Sequence, residues 1–303
     1  MALLKALRSS GDYLADRRFA YAQAAAAEGD DQAAEDLVLQ TLELVPDFAP
    51  AWFTLGELRE KQGLRDQAIE AFERARACDE TDELGAVLHL GRLGAIVPQT
   101  ASPRFVESLF DHYADDFEAH LTQKLHYRGP SLLAEAYMRL QAGVAETMID
   151  LGCGTGLAGE AFRPMARHLT GVDLSPRMIE AAKARGLYDR LAVAAVEDFL
   201  MSEPESSVDL IIAADVFVYM GDLSSVLAGS RRVLKPDGLL GFTVQVTQTK
   251  PYKVGHDLRF AHAEAYLRAA LAEARLHLTL CEDVSTRQEA GTPVPGLLII
   301  ARA

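Results

Sequence analysis

The stretch Met148-Ile149-Asp150-Leu151-Gly152-Cys153-Gly154-Thr155-Gly156-Leu157-Ala158-Gly159 decides how this chain folds. Four residues suited to a buried strand run straight into a glycine-rich turn, and a helix-compatible segment follows. Glycines at that junction permit a tight turn and let a nucleoside-bearing ligand lie against the backbone. Working outward, strand-like segments at 147–151, 168–173, 191–195, 208–214 and 238–246 alternate with helix-like ones. Such alternation predicts a doubly wound parallel sheet. Leu276 to Val284 and Gly296 to Ala301 are also strand-like, but only a Thr-Pro-Val-Pro turn region separates them. Two strands joined without a helix run antiparallel, so the sheet is expected to end in a hairpin.

Asp173 closes the second strand, nineteen positions after Gly154. A carboxylate there can accept both hydroxyl protons of a ribose. Ser175 and Pro176 follow as N-cap and first helical residue. Gly154-x-Gly156-x-x-Gly159 also satisfies a dinucleotide pattern, but Asp150 argues against a pyrophosphate beside the loop. A cationic sulfonium with an ammonium group tolerates that carboxylate.

Here the sequence resembles the class I S-adenosylmethionine-dependent methyltransferases. Ile149 to Gly156, then Gly171-Val172-Asp173-Leu174-Ser175-Pro176-x-Met178, look like that family's first two motifs in order and spacing. The resemblance covers about residues 131–303. It implies a Rossmann-like α/β fold, a mostly parallel seven-stranded sheet with an antiparallel C-terminal hairpin. It also implies S-adenosyl-L-methionine as cofactor, held by Asp150, Gly152, Cys153, Gly154, Thr155, Gly156, Asp173, Leu174 and Met178. In the family an acid after the third strand helps hold the adenine. Ala195 stands at that position here, a departure, which leaves Val196, Glu197 and Asp198 to serve. Glu197 and Asp198 fit helix N-terminal charge stabilisation equally well.

Ligands of open α/β sheets bind beyond the carboxyl ends of the strands. Asp215, Val216 and Tyr219, after the fourth strand, should therefore border the transfer site. Neither an Asn/Asp-Pro-Pro-aromatic signature nor a Pro-Cys nucleophile occurs there, which disfavours exocyclic-nitrogen and pyrimidine-carbon methylation.

Two segments are candidates for holding the acceptor. Residues 104–127 carry Val106, Leu109, Phe110, Tyr113, Phe117 and Leu121 at helical spacing, either as core or as a lid. As a lid, Tyr113, Phe117 and His120 would close the pocket from water. The second segment runs from Tyr252 to His262 and concentrates His256, Arg259 and His262 in an acidic protein. It is either a solvated loop, with His262 capping a helix near Ala261 to Ala274, or the counter-ion for a carboxylated acceptor. For a hydroxyl or amine acceptor, His262, His120 or Tyr113 could take the proton; a carboxylate needs no base.

The first hundred residues read as helices only. At an offset of 34, Gly29 matches Gly63, Ala34 matches Ala68 and Val38 matches Phe72. Trp52, Leu55, Gly56, Ala68, Phe72 and Ala75 fall at tetratricopeptide (TPR) repeat spacing, although Arg18 departs from it in the first copy. Small residues let two antiparallel helices approach, and the large ones fill the space between them. Such an array is either a groove for a protein partner or a cap on the next domain. Val97-Pro98-Gln99-Thr100-Ala101-Ser102-Pro103 ends it. The expected organisation is a TPR-like domain at 1–97, a linker with lid helices at 98–130 and a methyltransferase domain at 131–303.

The chain has 303 residues, 30 basic and 44 acidic, for a formal charge of −14. That balance opposes binding to nucleic-acid backbones. Cys78, Cys153 and Cys281 are too dispersed for a disulfide framework or a cysteine metal site, so no metal is expected. No apolar run reaches membrane length, and Lys5 and Arg8 interrupt the N-terminal apolar stretch, so a cytoplasmic chain without a membrane partner is expected. The expected activity is methyl transfer to an oxygen or nitrogen of a small acidic acceptor. The alternative is a TPR-based adaptor or assembly factor, or a protein methyltransferase, whose cofactor pocket is mainly structural.

Overall fold

A computed structural model describes residues 9–113, 125–140, 143–289 and 291–303. The chain divides into two compact units, Met1–Phe105 and Val106–Ala303, so the division falls beyond the proline-rich stretch at 97–103.

In the first unit, α1 (Tyr13–Glu28) and α2 (Asp31–Leu44) form one helical hairpin, and α3 (Ala49–Lys61) and α4 (Arg65–Cys78) a second. A shorter α5 (Ala86–Arg92) packs on α4. Asp12 and Asp30 cap α1 and α2 by accepting from the backbone N–H groups of Ala15 and Ala33, satisfying donors that a helix start leaves open. The 34-residue periodicity has a physical counterpart: α2 and α4 begin and end at that offset, and Gly29 and Gly63 make both hairpin turns. Gly56 faces the Phe72 ring, where a Cβ would come within 2.7 Å of it. In the first copy Phe19, next to the departing Arg18, fills the core by meeting Phe48 edge-on at 5.1 Å.

The second unit follows from α6 (Pro103–Tyr113), which runs across the division, and α7 (Gly129–Arg139). Next come β1 (Ala145–Leu151), α8 (Leu157–Phe162), β2 (Ala166–Asp173), α9 (Pro176–Arg185), β3 (Arg190–Val193), α10 (Val196–Ser202) and β4 (Val208–Ala213). The chain continues through α11 (Ser224–Val233), β5 (Leu234–Val246), β6 (Tyr252–Val254), β7 (Phe260–His262), α12 (Glu264–Glu273) and β8 (His277–Val284). A two-residue hairpin pair, β9 (Gln288–Glu289) and β10 (Thr292–Pro293), precedes β11 (Gly296–Arg302).

The sheet runs β3-β2-β1-β4-β5-β11-β8. Its first five strands are parallel, whereas β11 is antiparallel to both β5 and β8. The expected seven-strand path with its antiparallel C-terminal pair is therefore present, within a sheet that β6 and β7 enlarge to nine strands. Alternate residues serve opposite faces: Leu210 and Ile212 join one core with Met148 and Leu169, while Ile211 and Ala213 join the other with Ile149 and Leu240. Both faces are covered, which explains the near-continuous apolar strands.

One expectation fails here. The segment 252–262 is not a plain loop: β6 and β7 pair antiparallel, and β7 extends the sheet alongside β5. Ala263, not His262, precedes the following helix as its N-cap. Among the described residues, no helix is long and apolar enough to cross a membrane, and no cluster of His, Cys, Asp and Glu could hold a metal ion.

Candidate functional site

The strand order reverses at β1, whose neighbours β2 and β4 continue in opposite directions. That is where a doubly wound sheet opens a crevice at its carboxyl edge. In this crevice lies a cleft lined by the glycine loop, the end of β2 and the segment after β4, the usual place for a small-molecule site in such a sheet.

The floor is the β1–α8 turn. Gly152 has φ +62°, and a Cβ there would lie 2.5 Å from Val216 Cγ2, so only glycine fits both the backbone and the space. The Gly154 N–H donates to Asp173 Oδ2 at 2.9 Å, and the Ser175 N–H to Oδ1 at 2.9 Å. Each oxygen retains acceptor capacity for a ligand hydroxyl. Burial raises the Asp173 pKa, against the opposing pull of the Ser175 and Gly154 donors. Thr155 also lines the cleft, and its Oγ1 is buried with no hydrogen-bond partner among the described residues. A buried orphan hydroxyl is unfavourable unless a ligand satisfies it.

Of the residues expected to hold a cofactor, Gly152, Cys153, Gly154, Thr155, Asp173, Leu174, Val196, Asp215 and Val216 line the cleft. Five do not. Gly156 is the left-handed N-cap of α8, and Met178 is core within α9. Glu197 and Asp198 occupy the first turn of α10, the helix N-terminal position already weighed against adenine binding. Asp150 is 1 % exposed and lies behind the loop, where it accepts from the Tyr188 hydroxyl at 2.6 Å. Burial drives its pKa up to about 7, with Tyr188 opposing and Asp173 assisting the rise.

The opposite wall is built from β4, β7 and the β8–β11 connection. Asp215 has φ +56° and accepts from Thr243 Oγ1 at 2.9 Å and Thr286 Oγ1 at 3.1 Å. A non-glycine residue in that region is strained, as residues at ligand sites often are. Tyr219 and Arg259 line the cleft as expected, with the Arg259 guanidinium 5.9 Å from the centre of the Tyr219 ring. Burial pulls the Arg259 pKa down, but Tyr219, Asp215 and Asp257 outweigh it and hold the group above its usual range. Phe110 and Val106 of α6 complete the lining, and Phe110 meets Tyr219 edge-on at 5.6 Å. Asp111 anchors α6 by accepting from Ser175 Oγ at 2.5 Å, while its carbonyl accepts from Arg177 Nη1 at 2.7 Å. The amphipathic segment thus does supply a wall, through Val106 and Phe110 rather than Tyr113.

The expected bases are placed differently. His262 is fully buried in β7, outside the cleft lining; its Nε2 lies 2.9 Å from the Met220 carbonyl and 3.2 Å from that of Gly221. Burial lowers its pKa to about 4, so the neutral ring is a structural donor rather than a proton acceptor at the pocket. Tyr113 ends α6 outside the lining, and His256 is exposed on the β6–β7 turn. Phe117 and His120 lie outside the described residues.

Two lining residues escaped the sequence. Tyr127 ends the amphipathic segment, beyond its last apolar match at Leu121, and Arg287 comes from a segment without periodic pattern; backbone bonds join the two segments. The Arg128 N–H donates to the Thr286 carbonyl at 2.7 Å, and the Gln288 N–H to the Leu125 carbonyl at 2.8 Å. Burial, with Asp215 and Asp150 nearby, pushes the Tyr127 phenol well above its usual pKa.

Comparison with known proteins gives this geometry a context. Residues 149–242 match the family described as "Methyltransferase domain". Human methyltransferase-like protein 27 is 30% identical over 143 residues, 46% of this chain and 58% of its own length. The ubiquinone biosynthesis O-methyltransferase of Xanthomonas oryzae pv. oryzae is 30% identical over 151 residues, 47% of this chain and 62% of its own. This chain thus spans less than two thirds of the length of these curated relatives. In structure, Burkholderia thailandensis 1,6-didemethyltoxoflavin-N1-methyltransferase, solved with its substrate and S-adenosylhomocysteine, superposes with a TM-score of 0.53 at 18% identity. That superposition covers 68% of this chain and 92% of the other. The second unit therefore has the Rossmann-like methyltransferase fold.

Proposed function

We propose that this protein is an S-adenosylmethionine-dependent O-methyltransferase acting on a small acidic acceptor. The observation that carries the acceptor assignment is Arg259, a guanidinium lining the same cleft as the glycine loop, beside Tyr219. Oxygen as the methylated atom is supported by the likeness to the ubiquinone O-methyltransferase.

The bound donor supplies a methyl group on a sulfonium. The residues present fit it: Thr155 Oγ1 and the Gly152–Thr155 backbone would take the amino-acid end, Asp173 the ribose hydroxyls, and Leu174 and Val196 the adenine faces. Arg259 would hold the acceptor anion and fix its approach, since alignment of the nucleophile is most of what methyl transfer requires. Val106 and Phe110 keep water from competing.

In the first unit, the recurrence of one helical hairpin at a 34-residue offset supports a TPR-type module, whose groove would take a protein partner.

The test is incubation of the full chain with radiolabelled donor and a panel of carboxylated metabolites, each beside its neutral amide. Transfer to an acid but not to its amide is expected. Arg259→Ala should raise the acceptor KM by roughly thirty-fold or more, the equivalent of about 2 kcal/mol or above for an anion left unpaired, without weakening donor binding. Equal loss of donor affinity would move Arg259 to the cofactor side and end the acceptor assignment.

A further inference from the structure

The β8–β11 connection carries a second guanidinium into the cleft. Arg287 is 4 % exposed yet lines the cavity, on the same wall as Arg259. Its position is closely determined. The Ser285 hydroxyl donates to its carbonyl at 2.7 Å, and the Val294 N–H donates to that same carbonyl at 3.0 Å. The residues on either side are stitched to 125–128 by the backbone bonds described above.

The two ends of the Arg287 guanidinium have different surroundings. Nη2 donates to Asp257 Oδ2 at 2.8 Å. Nη1 forms a longer ion pair with Asp215 Oδ2 at 3.5 Å, outside hydrogen-bond geometry, and is buried with no hydrogen-bond partner among the described residues. Asp215 is already served by Thr243 and Thr286, and Asp257 by the Gln245 side-chain amide at 2.8 Å. Both ends of the guanidinium thus face carboxylates, but only the Nη2 end is satisfied by a hydrogen bond. Arg259, whose charge Tyr219, Asp215 and Asp257 favour, in turn disfavours the charge of Arg287. With Asp215 and Asp257 set against two guanidinia, the open Nη1 donor of Arg287 is the group that an anion in the cleft would satisfy.

We propose that Arg287 is a second acceptor-binding residue, and that it and Arg259 grip one carboxylate of the acceptor between them. This deepens the acceptor assignment above and rests on it. The histidines of the β6–β7 segment take no part: His262 is buried away from the cleft and His256 is exposed outside it. Selection follows from geometry, because a carboxylate offers both guanidinia an acceptor oxygen, whereas a carboxamide offers one oxygen and turns an N–H₂ donor toward a donor.

The probe is benzoate, with benzamide as its neutral counterpart, titrated into the full chain saturated with S-adenosylhomocysteine and followed by calorimetry. The wild-type chain should bind benzoate and discriminate against benzamide. Arg287→Met should weaken benzoate roughly ten-fold or more while S-adenosylhomocysteine affinity stays the same. Arg287→Lys, which keeps the charge but loses the fork, should recover part of the loss. Equal binding of benzoate and benzamide by the wild type overturns the proposal without recourse to any variant, as does wild-type benzoate affinity in Arg287→Met. Failure to bind S-adenosylhomocysteine at all is a separate result, which would sink the methyltransferase assignment instead.

Discussion

Replacing Asp150 by Asn should make the fold more stable at alkaline pH and flatten its pH dependence. The carboxyl is 1 % exposed, its one side-chain hydrogen bond comes from Tyr188, and burial lifts its pKa from 3.8 to about 7. With the folded value above the unfolded one, the folded chain retains a proton that the unfolded chain has released. The stabilising contribution is therefore fully present below about pH 4 and is lost as pH rises through about 7. A shift of about three units corresponds to about 4 kcal/mol in total at 1.36 kcal/mol per unit. Between about pH 5 and pH 8, the wild type should lose roughly 3 kcal/mol that the Asn variant does not. Asn keeps an oxygen for the Tyr188 hydroxyl, so the comparison removes the titration and spares the hydrogen bond. Other raised groups, such as Asp82, titrate in both proteins and cancel. Thermal unfolding of the two full-length proteins across that range measures the difference, expected as a Tm gap widening by roughly 5–10 °C toward high pH. Parallel curves would refute the reasoning, because Asp150 would then be ionised inside the fold.

Three further outcomes are expected. Asp173→Ala should weaken S-adenosylhomocysteine by a few kcal/mol, from two lost charge-assisted hydrogen bonds of about 1.5–3 kcal/mol each; unchanged calorimetric affinity would remove Asp173 from the ribose site. Gly152→Ala should abolish cofactor binding and lower Tm well below Gly143→Ala. Both glycines have positive φ, but only Gly152 has a neighbour, Val216, in the path of the new Cβ, so equal Tm losses would leave backbone strain as the whole effect. Phe72→Ala should destabilise the first unit by about 3–5 kcal/mol, followed by the fluorescence of Trp52, the single tryptophan of the chain; an unaltered transition would show that the Phe72 ring does not hold the second hairpin together.

The sheet was legible because its strands are buried on both faces, which writes them as apolar runs such as Leu210 to Ala213, and because glycine alone meets the backbone demands of the first turn. The hairpin turns of the helical unit were legible for the same reason: Gly29 and Gly63 both adopt positive φ where one helix reverses into the next. β6 and β7 were not, since three residues are too few to show a period-two pattern. His262 misled because a histidine in an acidic chain reads as a functional cation. Flanked by Phe260 and Ala261 and ended by the Ala263 cap, it is an inward strand residue whose ring serves two backbone carbonyls.

The cofactor side and the acceptor side of the cleft differ in how far they could be read, and the difference is physical. The cofactor loop is local: Asp150 to Gly156 are contiguous, and Asp173 is one crossover away, so spacing alone brings carboxylate and loop together. The acceptor wall is assembled from four distant segments, with Asp215 after β4, Arg259 entering β7, Arg287 after β8 and Tyr127 before α7. No spacing rule relates them. They meet only because β11 returns between β5 and β8, which delivers residues 285–289 to the carboxyl edge of the parallel strands, where backbone bonds to 125–128 fix them. Acceptor choice therefore rests on a connection that the sheet does not need for its own pairing, and that connection can change without disturbing the donor loop. Exchanging Arg287 should alter which acceptor is taken before it alters whether the donor binds.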